Sequence, residues 1–170
     1  ATSAAGIFAE APDSSSWLGL YGGTGTGDSA ALLYPDTGSF RIGTTSAVAT
    51  TGFSEKLRVD GDGRLLVGTS SARGNFYQTT GQSWQHQIEG ASYLASGQAQ
   101  ITNSNDALGA YINLAKSRGT SVGSNTIVQN GDNLGVIDFH GNDGTDFTHA
   151  ARIVASVDGT PGSNDMPGRI

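Results

Sequence analysis

Gly, Ser and Thr supply 62 of the 170 residues, whereas Glu and Lys together supply five. That imbalance constrains the fold more than any other feature. Exposed helix faces are built from straight-chain formers such as Glu and Lys, and turns and strands from the residues abundant here. An all-β architecture is the expectation. No 3.6-residue apolar stripe contradicts it: the nearest candidate, YLASGQAQI (93–101), is interrupted by Gly97. Short apolar runs instead recur between glycine turns, each of strand length: WLGLYGG (17–23), ALLY (31–34), FRIGT (40–44), KLRV (56–59), RLLVGT (64–69), AYINLA (110–115), NTIVQN (125–130), GVIDFHG (135–141) and ARIVASV (151–157). Alternation within them, as in Lys56-Leu57-Arg58-Val59, suits half-buried strands.

Leu, Ile, Val and Phe number 34, a fifth of the chain, which is thin for the core of a lone monomer. Charged residues are 14%, too few for the charge-rich disordered class. A repetitive β structure whose core is completed by chain association reconciles the two. DTGSFRIGTTS (36–46) aligns with GDGRLLVGTSS (61–71) at an offset of 25, matching Gly38 to Gly63 and Gly43 to Gly68. A second echo links ALGAYINLAKSRGT (107–120) with NLGVIDFHGNDGT (133–145). Such a unit is too small to bury its own apolar face and stacks on a neighbour or a symmetry mate. The expected organisation is an N-terminal β-repeat region over 1–74 and a β-rich C-terminal region over 75–170.

Net charge is −6 and the chain has no basic run, which argues against nucleic acid as a partner. The absence of cysteine excludes disulfides and thiolate metal sites. No window approaches 18 apolar residues, so no membrane insertion is expected, and ATSAAGIFAEAP carries no signal-peptide pattern.

Few constellations carry chemistry. Asp138, His140, Asp143, Asp146 and His149 place three carboxylates and two imidazoles within twelve residues, and Asp138 and His140 share a face of a strand, a spacing suited to acid–base or metal work. The competing reading, that GNDGTD is an Asp-Gly hairpin turn, is favoured. VDGDG (59–63) opens like a calcium loop, but Ser71 stands where its closing Glu belongs, so a tight turn is expected. GGTGTG (22–27) lacks the Lys-Ser/Thr ending of a phosphate loop. No catalytic residue, metal site or cofactor is expected. Aromatic side chains offer the best binding surface, because a flat apolar face with a polar rim suits a sugar ring. FYQTTGQSWQHQ (76–87) supplies Tyr77, Trp84 and His86, and Tyr93 follows; these four are the glycan-stacking candidates. Asp158, Asp165, Arg152 and Arg169 are expected to bridge subunits.

KSRGTSVGSN (116–125), DNLGVIDFHGNDGTDF (132–147) and AARIVASVDGTPGSNDMPGRI (150–170) resemble a pattern of bacteriophage tail fibre and other virion fibre proteins. GFSEKLRVDGDGRLLVGTSS (52–71) resembles units that recur in the same family. The matching pieces cover roughly half of the chain. The resemblance implies an elongated homotrimeric fibre or knob in the virion, with other tail proteins and a host-surface glycan as partners, working in host attachment and not as an enzyme. It also implies a strand continuing past Ile170, so that the chain is part of a fibre subunit. Two alternatives stand beside it. One is a polysaccharide-degrading tailspike, for which Glu10, Glu55 and Glu89 are few and none lies beside an Asp cluster. The other is a head-decorating fibre or bacterial surface adhesin built from the same module.

Overall fold

A computed structural model describes residues 7–10, 17–21, 30–36, 38–45, 53–76 and 83–170, with side chains over 38–44, 53–76 and 83–170. The architecture is all-β. Ten strands lie among the described residues, and the one helix there, α1 (Tyr93–Ser96), is a single turn that Ser92 caps and that stops at Gly97. The chain divides into two compact units, residues 1–74 with 80–98, and residues 75–79 with 99–170.

The first unit is a seven-stranded sheet in chain order: β1 (Ile7–Glu10), β2 (Trp17–Tyr21), β3 (Ala30–Asp36), β4 (Ser39–Thr45), β5 (Ser54–Val59), β6 (Leu65–Val67) and β7 (His86–Ile88). Neighbours are antiparallel down to β6, and β7 returns parallel to it. Pleating sorts the side chains by face. Phe40, Val59 and Leu65 form one cross-strand row and Ile42, Leu57, Val67 and Ile88 another on the same face. Arg41, Arg58, Leu66 and Gln87 form the row behind them, where Leu66 is fully buried. Arg41 and Arg58 sit directly opposite, an arrangement that would repel. Glu55 neutralises it, accepting from Arg58 at 2.8 and 2.7 Å and lying 3.7 Å from Arg41.

VDGDG is the expected tight turn. Asp60 Oδ1 accepts from the amides of Asp62 and Arg64, its Oδ2 accepts from Arg64 Nε at 2.7 Å, and Gly63 takes φ +79°. The polar β7 was not legible as a strand, nor was the four-residue β1. GGTGTG and Tyr77 lie outside the described residues.

In the second unit β8 (Asn133–Asn142) and β9 (Phe147–Val157) form a long hairpin, and β10 (Gly168–Arg169) pairs with the end of β9. GNDGTD is the hairpin turn. Asp143 Oδ1 caps the amides of Thr145 and Asp146, and Asn142 Oδ1 that of Gly144. AYINLA and NTIVQN, expected as strands, are not strands. The reason is a missing partner: from Gly109 to Ala115 no backbone group pairs with another backbone group among the described residues. The second sequence echo is therefore a strand at 133–142 and an unpaired segment at 107–116. Val128 and Val157 are the buried large apolar side chains of this unit among the described residues.

Gly63 and Gly68 allow a direct check. Both have positive φ, but a Cβ at Gly63 meets open space, whereas one at Gly68 would lie 2.2 Å from the Glu89 carbonyl oxygen that follows β7. Gly63→Ala is expected to cost about 1 kcal/mol and Gly68→Ala clearly more, about 2–4 kcal/mol, because the left-handed penalty adds to a backbone clash. Urea-denaturation midpoints of the two variants give the comparison, and equal midpoints would contradict it.

Candidate functional site

Two places gather functional side chains, and they lie in different units. In the first unit Trp84 precedes β7, His86 opens it and Tyr93 opens α1. Trp84 is 50% exposed and Tyr93 83%, so both rings offer area to a ligand, and His86 is exposed beside them in sequence. The segment is pinned by polar contacts rather than by packing. Gln87 Nε2 donates to the Trp84 carbonyl at 3.1 Å, and Gln87 Oε1 accepts from the Arg73 amide at 2.9 Å. The Arg73 guanidinium grips the Glu89 carboxylate through two nitrogens. That pair holds the Glu89 carboxyl below its usual range, its hydrogen bonds to Arg73 being the largest cause. These clamps tie β7 to the Arg73 segment, while the backbone ladder joins it to β6.

In the second unit the hairpin gathers Asp138, His140, His149 and Arg152 on one face. Asp138 is opposite Arg152 and His140 opposite His149, with a bulge between Phe139 and His140. Arg152 Nε lies 2.9 Å from Asp138 Oδ1 and donates to His149 Nε2 at 3.1 Å, while Nη2 reaches Asp138 Oδ2 at 3.4 Å. Because Nε is directed at the imidazole, Asp138 Oδ1 is buried without a well-aligned hydrogen bond despite the short ionic contact. The carboxylate and the His149 imidazole stand 3.5 Å apart, longer than the hydrogen bond an acid–base pair needs. His140 Nδ1 faces the Phe147 carbonyl at 3.3 Å, its ring is edge-on to His149 at 5.9 Å, and Phe76 stacks on Phe147 at 5.1 Å.

The expected constellation therefore separates. Asp143 belongs to the turn, while Asp138, His140 and His149 share the strand face with Arg152, which the sequence reading had placed among subunit bridges. Arg152 pairs inside its own chain, as does Arg169 with Asp158 at 3.6 Å. The signal that was missed is register: the single bulge residue determines what faces Asp138.

Among the described residues no three His, Asp or Glu converge as a metal site would require. An open cleft of 220 Å³ lined by Glu55, Lys56, Gly68, Thr69 and Ser70 is smaller than the roughly 300–1,000 Å³ of small-molecule pockets. No family model, no curated protein and no solved structure matches the chain.

Acid titration tests the loop geometry around this face. Hydrogen bonds from Arg118, at 2.7 and 2.8 Å, and then from the Gln129 amide hold Asp132 well below the usual carboxylate range. The amides of Asp146 and Thr145 and the Thr148 hydroxyl lower Asp143 in the same direction. A depressed carboxyl adds stability that is fully present above its unfolded pKa, about 4, and is lost as pH falls through the folded value. Amide protection in 129–157, taken relative to the intrinsic exchange rate at each pH, is expected to fall below about pH 4. Asp132→Asn should show faster exchange at neutral pH and a shallower acid dependence; an unchanged slope would count against the role given to this carboxylate.

Proposed function

We propose that the chain is a structural subunit of a homotrimeric virion fibre on a phage tail, acting in host attachment through exposed aromatic side chains and without catalysis. The observation that carries this reading is the balance of burial in the second unit. Val128 and Val157 are buried there, while Ile101, Ile112, Val122, Ile127, Phe139 and Ile153 are about half exposed or more. Burying a valine contributes about 1.5–3 kcal/mol, whereas ordering one residue's backbone costs about 1–2 kcal/mol. Two buried valines are little apolar cover for residues 99–170, which supports cover from outside the chain. Association with further copies supplies it in every subunit at once.

Two smaller observations support the fibre reading. Gly38 and Gly63, equivalent in the 25-residue echo, both adopt positive φ, 76° and 79°, immediately before β4 and ahead of β6. Glu55, Asp60, Glu89, Asp132 and Asp138 all hold arginines, a use of carboxylates in ion pairs rather than in glycoside hydrolysis. In attachment, Trp84, His86 and Tyr93 are assigned to a host-surface glycan.

Light scattering on a sizing column is expected to return three times the 17.3 kDa of the chain; a folded monomer would overturn the proposal. Retention on immobilised host polysaccharide should fall at least tenfold for Trp84→Ala with the mass unchanged. Undiminished retention would remove the glycan assignment while leaving the assembly.

A further inference from the structure

The two faces of the β8–β9 hairpin differ in chemistry. Asp138, Arg152, His140 and His149 occupy one. On the other, Ile137 is opposite Ile153 and Phe139 opposite Ala151, and these large side chains are about half exposed: Ile137 50%, Phe139 52%, Ile153 49%. The second face begins at Gly135, where a Cβ would come 2.7 Å from Leu114 Cβ, so Leu114 of the same chain covers its first step, while Ile137, Phe139 and Ile153 beyond it stay about half exposed.

Leu114 ends a segment with the opposite deficiency. In Leu108-Gly109-Ala110-Tyr111-Ile112-Asn113-Leu114 the aliphatic residues fall at alternate positions, the pattern of a strand with one apolar side. Leu108 is 62% exposed and Ile112 75%, and the backbone from Gly109 to Ala115 has no backbone partner among the described residues. Each copy thus offers a sheet face without cover and an extended aliphatic segment without a sheet.

We infer that the Ile137, Phe139 and Ile153 face is covered by a second copy of this chain, whose segment 108–114 contributes its aliphatic side to the contact. The inference rests on the homo-oligomeric reading above and names the surface through which it operates. A copy is the occupant because every chain carries both halves of the contact, the open apolar face and an exposed aliphatic segment of strand-like alternation. A contact that joins a segment of one copy to a different surface of the next is head-to-tail, the kind that closes into a ring when the rotation permits. The opposite face, with the partly exposed Arg152 and His149, then stays outside the contact.

Because the chain has no cysteine, single thiols report each face. Ile137→Cys, Ile112→Cys and, as the solvent-side reference, His149→Cys are prepared in the full chain. Their reaction with a charged maleimide is timed in buffer, each rate is divided by its rate in urea, and the mass of every variant is measured by light scattering. The expected result is a multimer in which the thiols at 137 and 112 react at least tenfold more slowly than the thiol at 149. A multimer in which position 137 reacts as fast as position 149 overturns the interface and leaves the fibre proposal standing. A multimer in which only position 112 reacts fast overturns the role of segment 108–114. A monomer with reactive thiols at both positions overturns the inference and the fibre proposal together.

Discussion

A β-sheet keeps its ladder ordered by covering at least one face with apolar material, and this chain carries little of it. Among the described residues Leu66, Val128 and Val157 are the buried large aliphatics, and the rest of the apolar side chains are partly or largely exposed. The other features follow from that shortage. Described turns such as those at 60–63 and 142–146 are tight, because a small apolar face is organised best by neighbours in sequence. The first sheet runs in chain order, so each strand is held chiefly by the one before it.

Polar groups do the local work that a core does elsewhere. Asp60, Asp132 and Asp143 each use one carboxylate to gather backbone amides of their own turn, and the first two also hold an arginine. Exposed ion pairs of this kind contribute little to stability, typically about 0–1 kcal/mol. Their effect is geometric: Asp132 sets the loop before β8, Asp60 sets the turn between β5 and β6, and Glu55 lets two arginines lie side by side on β4 and β5. A chain built in this way presents ordered sheets whose apolar sides are still open.

Much of this was legible because it is local. The Asp-Gly turns at 60–63 and 142–146, the all-β class and most strands can be recognised in stretches of four to eight residues, where turn chemistry and alternation act directly. AYINLA has the same alternation and is not a strand, since a strand also needs a partner and its backbone has none among the described residues; NTIVQN makes a single backbone bond, from the Arg118 amide to the Thr126 carbonyl, too little for a ladder. β7 was illegible for the reverse reason: His86-Gln87-Ile88 has weak strand character, and β6 supplies the ladder for it. The candidate site shares this division. Trp84 and Tyr93 stand out in the sequence as aromatic residues, but the partner of Asp138 was hidden.

Counting outward from the 142–147 pair without interruption would set Asp138 opposite Ala151 and turn Arg152 onto the face of Ile137. The extra residue on β9, Ala150, which falls between the pairs Phe139–Ala151 and His140–His149, shifts the pairing by one, brings Arg152 to Asp138 and His149, and leaves Ile137, Phe139 and Ile153 on an unmixed apolar face. By itself the sequence determined the class of structure, the turns and the positions of most strands, since those depend on side chains reaching their own backbone and on glycine at positive φ. Only the tertiary structure decided register, facing and which strand-like segments found a ladder. Those depend on hydrogen bonds between distant residues, and in a pleated sheet a shift of one residue inverts every face it touches.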